Sequence, residues 1–166
     1  MNALPRHRRI FLATLTSVLG FAGAANASES IYMAIPGVTG TVTAVGFVGT
    51  IEIFSYSQGF TNANGTAICS DTAVQKQIDQ SSAFFAKSVL EQRGPFNATI
   101  YFVEDVNGKA VATTTVKLKS AVVTTVQHGA TTGGGPISES ISMHAASLVV
   151  TFNNNGVMQT YTTTCP

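Results

Sequence analysis

Residues 96–128, FNATIYFVEDVNGKAVATTTVKLKSAVVTTVQH, decide the fold of this chain. Apolar and polar side chains alternate on both sides of Asn107-Gly108. That dipeptide accepts the positive φ angles of a type I′ turn, so the stretch predicts a β-hairpin with long arms. Glu104-Asp105 immediately precedes the turn and is interpreted as a solvated hairpin end rather than as a catalytic acid and base pair.

The segment before the hairpin, DQSSAFFAKSVLEQRG at 79–94, changes to a helical period. Ser81 or Ser82 can cap the N-terminus, and Gly94 followed by Pro95 ends the helix. It is the only convincing helix after the leader, and one short helix needs a larger surface on which to bury its apolar stripe. The residues expected to be buried against a sheet are Phe84, Phe85, Val89 and Leu90.

Alternating stretches elsewhere predict the remaining strands, and a turn at NNNG (153–156) introduces the last of them. These stretches are 30–35, 51–54, 74–79, 137–152 and 157–165. Residues 37–49 carry several glycines and are predicted to form an extended excursion rather than an uninterrupted strand. Seven to nine short strands with one helix indicate a mainly β barrel or sandwich, closed mostly by antiparallel pairing.

The first 27 residues are predicted to be a cleaved signal peptide, which leaves one domain at 28–166. Arg6, Arg8 and Arg9 form a basic start, an apolar run of about 16 residues follows, and ANA before Ser28 suits signal peptidase. A membrane anchor is the alternative, although a spanning helix needs about 20 residues. The order of Arg8-Arg9 and the apolar run resembles the twin-arginine motif, and both that route and the Sec route stay open.

Removing the leader changes the charge of the chain. Six of the nine Lys and Arg residues and all eight acids remain, so the formal charge moves from +1 to −2. The remaining cations are scattered singly, which argues against nucleic acid as a partner. The predicted signal peptide indicates export to the periplasm or cell exterior. No second apolar run is long enough to span a bilayer, so no membrane partner is expected after cleavage.

Cys69 and Cys165 both lie after the leader. An even pair of cysteines in a short exported chain is a candidate disulfide, which would stabilise the fold by about 4 kcal/mol in the chain-entropy model. Two unpaired thiols are the alternative.

The sequence offers little catalytic chemistry. His128 and His144 are the only histidines after the leader, and neither lies in a metal-binding motif. No serine lies in a G-x-S-x-G elbow, and GATTGGGP (129–136) lacks the lysine and the following helix of a phosphate loop. We therefore expect no catalytic residues, no metal and no cofactor, and a hydrolase using Ser, His128 and an acid is the weakest of the hypotheses.

Four segments in order resemble the Hcp family, the haemolysin-coregulated proteins that form the inner tube of type VI secretion systems. They span Ser30 to Phe152 and are IYMAIPGVTG (31–40), GTIEIFSYSQG (49–59), KQIDQSSAFFAKSVL (76–90) and GGPISESISMHAASLVVTF (134–152). The last segment, with a Glu-Ser pair before an alternating strand, is the most similar to the family's pattern. The Ile-Asp-x-Ser-Ser step into the helix is the next.

The resemblance implies a small closed antiparallel β-barrel with one α-helix on its side and an extended loop near the first strands. It also implies a non-enzymatic subunit that assembles into homohexameric rings, stacks into tubes and holds small effector proteins in the lumen. The glycines that would serve assembly loops fall in two stretches. They are Gly37, Gly40, Gly46 and Gly49 in the first, and Gly133, Gly134 and Gly135 in the second.

The leader departs from the family's pattern, because tube subunits assemble in the cytoplasm and normally carry no signal peptide. The sequence therefore leaves two readings of the domain open. One is an exported Hcp-like subunit that still forms rings. The other is a secreted monomeric binding module or cargo carrier on the same barrel.

Overall fold

The hairpin predicted at residues 96–128 forms, and it lies at the centre of the main sheet. The computed structural model describes residues 29–63, 65–106, 108–130, 132, 135–154 and 156–166. In it, strands β7 (Phe96–Val106) and β8 (Lys109–Gly129) pair antiparallel. Gly108 has φ 76°, which agrees with the positive φ expected at an Asn-Gly turn. Asn107 lies outside the described residues, as does the leader.

Within the described residues, one helix and eight further strands complete the fold. The helix is α1 (Ser82–Leu90), and the strands are β1 (Ser30–Ala34), β2 (Ile51–Ile53), β3 (Ser55–Ser57), β4 (Phe60–Ala63), β5 (Thr66–Cys69), β6 (Thr72–Gln77), β9 (Ser138–Asn154) and β10 (Val157–Thr164).

The main sheet curls until its two ends meet. Its strand order is β2-β1-β7-β8-β9-β6-β3, with β10 paired to β9. The end strands β2 and β3 are neighbours in sequence, separated only by Phe54, whose backbone N–H donates to the carbonyl oxygen of Gln75 on β6 at 2.9 Å. The chain therefore bends at Phe54 and passes from one end of the sheet to the other, which nearly closes an antiparallel barrel and confirms the expected fold class.

The long strand β9 connects three other strands. It pairs with β8 along one edge, while its other edge pairs with β6 at residues 138–143 and with β10 at residues 147–154. Strands β4 and β5 form a separate two-stranded sheet.

The core fills the inside of the barrel with apolar side chains from alternate strand positions. Fully or almost fully buried members include Met33, Ile51, Ile100, Leu118, Ile141, Met143 and Leu148. Phe85 of α1 is also fully buried and belongs to the same cluster, which places the helix against the barrel as the resemblance implied.

The prediction that Leu90 is buried was wrong. Its exposed fraction is 82%, whereas Phe85 and Ser88 are buried. At 3.6 residues per turn, Leu90 lies about 140° around the helix axis from Phe85, so it points away from the barrel. Among the described residues no helix has the length and apolar character needed to cross a membrane.

Candidate assembly site

The glycine-rich excursion that follows β1 folds back on itself. The N–H of Gly40 donates to the carbonyl of Gly49 at 2.8 Å, and the N–H of Gly49 donates to the carbonyl of Val42 at 2.8 Å. A third bond runs from the N–H of Val42 to the carbonyl of Thr50 at 3.1 Å. The excursion is therefore a closed loop with its own backbone pairing, and we call residues 37–50 the tip loop.

Two kinds of glycine shape the tip loop. A Cβ atom at Gly40 would lie 2.2 Å from the carbonyl oxygen of Thr50, so only glycine lets the two arms of the loop approach. Gly46, between the exposed valines at the tip, has φ +89°, which side chains with a Cβ rarely adopt. The glycines thus determine the shape of the loop.

Aromatic packing fixes the tip loop to the barrel. The centroid of the Phe47 ring lies 5.3 Å from the ring centroid of Tyr32 on β1 and 5.3 Å from that of Tyr101 on β7. Offset and edge contacts at such distances are favourable. Val45 and Val48, on either side of Phe47 in the sequence, have exposed fractions of 88% and 72%. An anchored loop therefore presents two apolar side chains to solvent.

The start of the helical segment holds the other side of the tip loop. The Nε2 atom of Gln80 donates to the carbonyl oxygen of Gly40 at 2.8 Å. The structure thus gathers Gly37, Gly40, Gly46 and Gly49 into one loop. The second candidate stretch is different: Gly133 and Gly134 lie outside the described residues, and Gly135 is exposed before β9. An assembly role for either stretch stays a prediction.

A buried ion cluster joins β6, β9 and the start of α1. The Nζ atom of Lys76 lies 3.1 Å from Oε2 of Glu139 and 2.8 Å from Oδ1 of Asp79, and the side chains of Lys76 and Glu139 are both fully buried. Nζ also donates to the hydroxyl of Ser82 at 2.9 Å and to the carbonyl of Gln77 at 2.7 Å. Every described buried side-chain N or O atom has a hydrogen-bond partner.

The electrostatics of Asp79 follow from this cluster. Burial alone would raise the pKa of the Asp79 carboxyl. Hydrogen bonds from Lys76 and Ser81, together with the Lys76 charge, outweigh burial and hold that pKa below its ordinary value. Sequence reasoning missed the cluster, although Lys76 falls in phase with buried Val74 on β6, a pattern that places a charge inside the barrel.

Both described histidines are paired with carboxylates. The Nε2 atom of His128 lies 3.0 Å from Oε1 of Glu139, and Nδ1 of His144 lies 3.2 Å from Oδ1 of Asp71. The other oxygen of Asp71 accepts from the hydroxyl of Thr124 at 2.6 Å. In the part of the chain that the structure describes, no group of three or more His, Cys, Asp and Glu residues is placed to hold a metal ion.

Cys69 and Cys165 form a disulfide across 96 residues of sequence. Cys69 ends β5, and Cys165 follows β10, so the bond joins the β4–β5 hairpin to the end of the chain. Glu104 and Asp105 stand at the β7–β8 turn, where the carboxylate of Asp105 accepts from the N–H of Gly108 at 2.7 Å. That acidic pair is therefore a turn element.

Comparison with known proteins identifies the family of this chain. Residues 32–161 match the family model described as Type VI secretion system effector, Hcp. The chain belongs to the Hcp family. Among curated protein sequences none matches it.

Solved Hcp structures share the fold at low sequence identity. Hcp1 from Salmonella typhimurium superposes with a TM-score of 0.72 at 14% identity, covering 82% of this chain and 94% of the other. A type VI secretion system effector from Yersinia pestis superposes with a TM-score of 0.70 at 13% identity, covering 81% of this chain and 98% of the other. Hcp1 of the E. coli pathovar EAEC 042 superposes with a TM-score of 0.68 at 17% identity, covering 80% of this chain and 96% of the other. The barrel of this chain is therefore the Hcp fold.

Proposed function

We propose that this Hcp family member is an exported, non-enzymatic structural protein that assembles into rings, hexameric by the family resemblance, and into stacked tubes that hold small effector proteins. The observation that carries the proposal is the tip loop, in which Phe47 is fixed between two tyrosine rings while Val45 and Val48 are exposed. An anchored apolar tip suits contact with a second copy, because little loop freedom is lost on binding.

The physics of such a contact supports a repeating assembly. Full burial of a valine stabilises a contact by about 1.5 kcal/mol or more. A contact in which the tip of one subunit meets a different surface of the next is heterologous, and heterologous contacts close into rings or continue as filaments. One loop per subunit thus supplies the apolar part of each contact around the ring.

Export is the second part of the proposal. The basic and apolar leader at 1–27 supports it, and the Cys69–Cys165 disulfide suits an oxidising compartment. The reading of the leader as a signal peptide is tested by the N-terminal sequence of the protein recovered from the periplasm or medium, which should begin at Ser28.

Light scattering after size-exclusion chromatography of the oxidised 28–166 chain tests assembly. We expect a discrete species of about six subunits. Val45→Asp with Val48→Asp should reduce it to the monomer without changing the thermal unfolding midpoint, because both side chains are solvent-exposed. Val157→Asp, at an exposed valine on β10, is the matched control and should leave the ring intact. A strict monomer at high concentration would overturn the ring and favour the monomeric binding module.

The stretch at 131–135, which lies mostly outside the described residues, is proposed as a second contact between subunits. Deleting these residues should alter the assembled species more than the unfolding midpoint, since a run of glycines has no side chains to contribute to a core. Loss of the folded state on deletion would contradict that role.

A further inference from the structure

One end of the barrel carries an apolar cavity of about 360 Å³. Its floor is formed by the buried side chains of Val116 and Val150. Its walls include the rings of Phe60, Phe102, Phe152 and Tyr161. We call this cavity the aromatic mouth. It lies apart from the tip loop and shares no lining residue with it.

The aromatic mouth selects against charge. None of the described residues that line it is an Asp, Glu, Lys, Arg or His. Burial, with a smaller contribution from the charge of Tyr161, raises the pKa of the Tyr56 hydroxyl to about 12, so this lining group is neutral at ordinary pH. Gln58 is already engaged, because its Nε2 donates to the carbonyl of Ser70 and its Oε1 accepts from Thr72. An ion placed here would lose its hydration without gaining a partner.

The volume of the aromatic mouth limits the size of the molecule that can bind there. A volume of about 360 Å³ is near the lower end of the pockets that hold small molecules, which run from about 300 to 1,000 Å³. The rings around it are arranged edge-to-face or tilted: Phe60 to Tyr161 at 6.2 Å and Phe152 to Tyr161 at 6.0 Å. An added aromatic ring would extend the same kind of contact.

The disulfide holds two walls of the mouth together. Phe60 on β4 lies directly opposite Cys69 on β5, and Tyr161 lies on β10, which leads into Cys165. The β4–β5 hairpin forms a two-stranded sheet of its own, and such a hairpin is only marginally stable when isolated. The Cys69–Cys165 bond therefore fixes the position of the Phe60 wall against the Tyr161 wall.

We propose that the aromatic mouth binds one small uncharged aromatic molecule per subunit, and that the Cys69–Cys165 disulfide sets the affinity by holding the Phe60 wall in place. This site goes beyond the proposed assembly function. The tip loop contributes no lining residue to it, and the two proposals are tested by separate measurements.

Indole is the probe, and the readout is the ¹³C-methyl NMR spectrum of the oxidised 28–166 chain. We expect saturable shifts, one site per subunit, concentrated on the methyls of Val116 and Val150. Indole-3-acetate, which adds a carboxylate, should bind more weakly. Phe60→Ala should weaken indole binding about tenfold. Phe54→Ala is the matched control, since Phe54 is similarly exposed and does not line the mouth.

The disulfide is tested by repeating the titration after treatment with dithiothreitol and, separately, on the variant with Cys69→Ser and Cys165→Ser. Both should weaken binding to about the level of Phe60→Ala. Shifts that grow linearly without saturating, or that spread over the whole barrel, would overturn the site. Unchanged affinity for indole after reduction would refute the role of the disulfide but not the binding site itself. Light scattering on the same samples reports assembly separately.

Discussion

Replacing Lys76 by methionine should be among the most damaging single changes in this protein. The Nζ atom lies within 3.1 Å of oxygens from Glu139, Asp79, Ser82 and Gln77, and the Lys76 and Glu139 side chains are fully buried. Methionine keeps most of the side-chain length but leaves the Glu139 charge without the lysine. Removing one partner of a buried ion pair costs about 3–5 kcal/mol. That is a large part of the 5–15 kcal/mol of stability typical of a whole domain.

Urea unfolding of the oxidised 28–166 chain measures this effect. With a slope of about 2 kcal/mol per molar urea, the midpoint of Lys76→Met should fall by roughly 2 M. Adding Glu139→Gln should recover part of the loss, because a neutral amide is less costly to bury than a carboxylate that has lost its lysine. Lys87→Met, at an exposed position on α1, is the control. A Lys76→Met midpoint within error of Lys87→Met would refute the reasoning.

Three further outcomes are expected. Because the folded-state pKa of Asp79 lies below its ordinary 3.8, this carboxylate contributes stability that is present above the unfolded pKa and is lost as the pH falls through the folded value. Asp79→Asn should therefore flatten the acid limb of a plot of urea midpoint against pH; an unchanged limb would contradict the shift. The unreduced protein should weigh two hydrogens less than the reduced one, and replacing Cys69 and Cys165 with serine should cost about 4 kcal/mol in chemical denaturation; equal masses would exclude the bond. Gly40→Ala, whose Cβ would meet the carbonyl oxygen of Thr50, should destabilise by about 1–3 kcal/mol in thermal unfolding and weaken assembly, whereas a neutral effect would mean that the arms of the tip loop can separate.

Local sequence patterns could predict the helix and most of the strands, but the hairpin of β4 and β5 was not predicted. The alternation on each side of residues 107–108 gives β7 and β8, and the change of period gives the start of α1 to within a residue. The helix ends at Leu90, before the stop expected at Gly94-Pro95. The strand order and the closure of the barrel could not be predicted from local patterns. The bend at Phe54, which carries the chain between the two ends of the sheet, depends on pairing with β6, a segment about 20 residues away.

Irregularities within the strands also could not be predicted from the sequence. Ser120 has φ 49°, and its N–H donates to the side-chain oxygen of Asn97 at 3.1 Å, beside a register shift between β7 and β8. Serine carries no preference for positive φ, so nothing in the strand pattern predicts this bulge. The candidate site was predicted only in part. The glycines indicated the tip loop, but the packing of Phe47 depends on rings from two other strands, β1 and β7.

The Lys76–Glu139 pair also selects which way β6 joins the barrel during folding. The two residues lie directly opposite each other on β6 and β9. If β6 slid by one residue, Lys76 and the buried face of the strand would both turn outward, so apolar packing already opposes that register. A slide of two residues would place Val74 or Ile78 opposite the carboxylate instead. Apolar packing alone would tolerate this two-residue slide, because it keeps the same face of β6 inside the barrel, so the pair of charges excludes a misaligned barrel that the apolar side chains would permit.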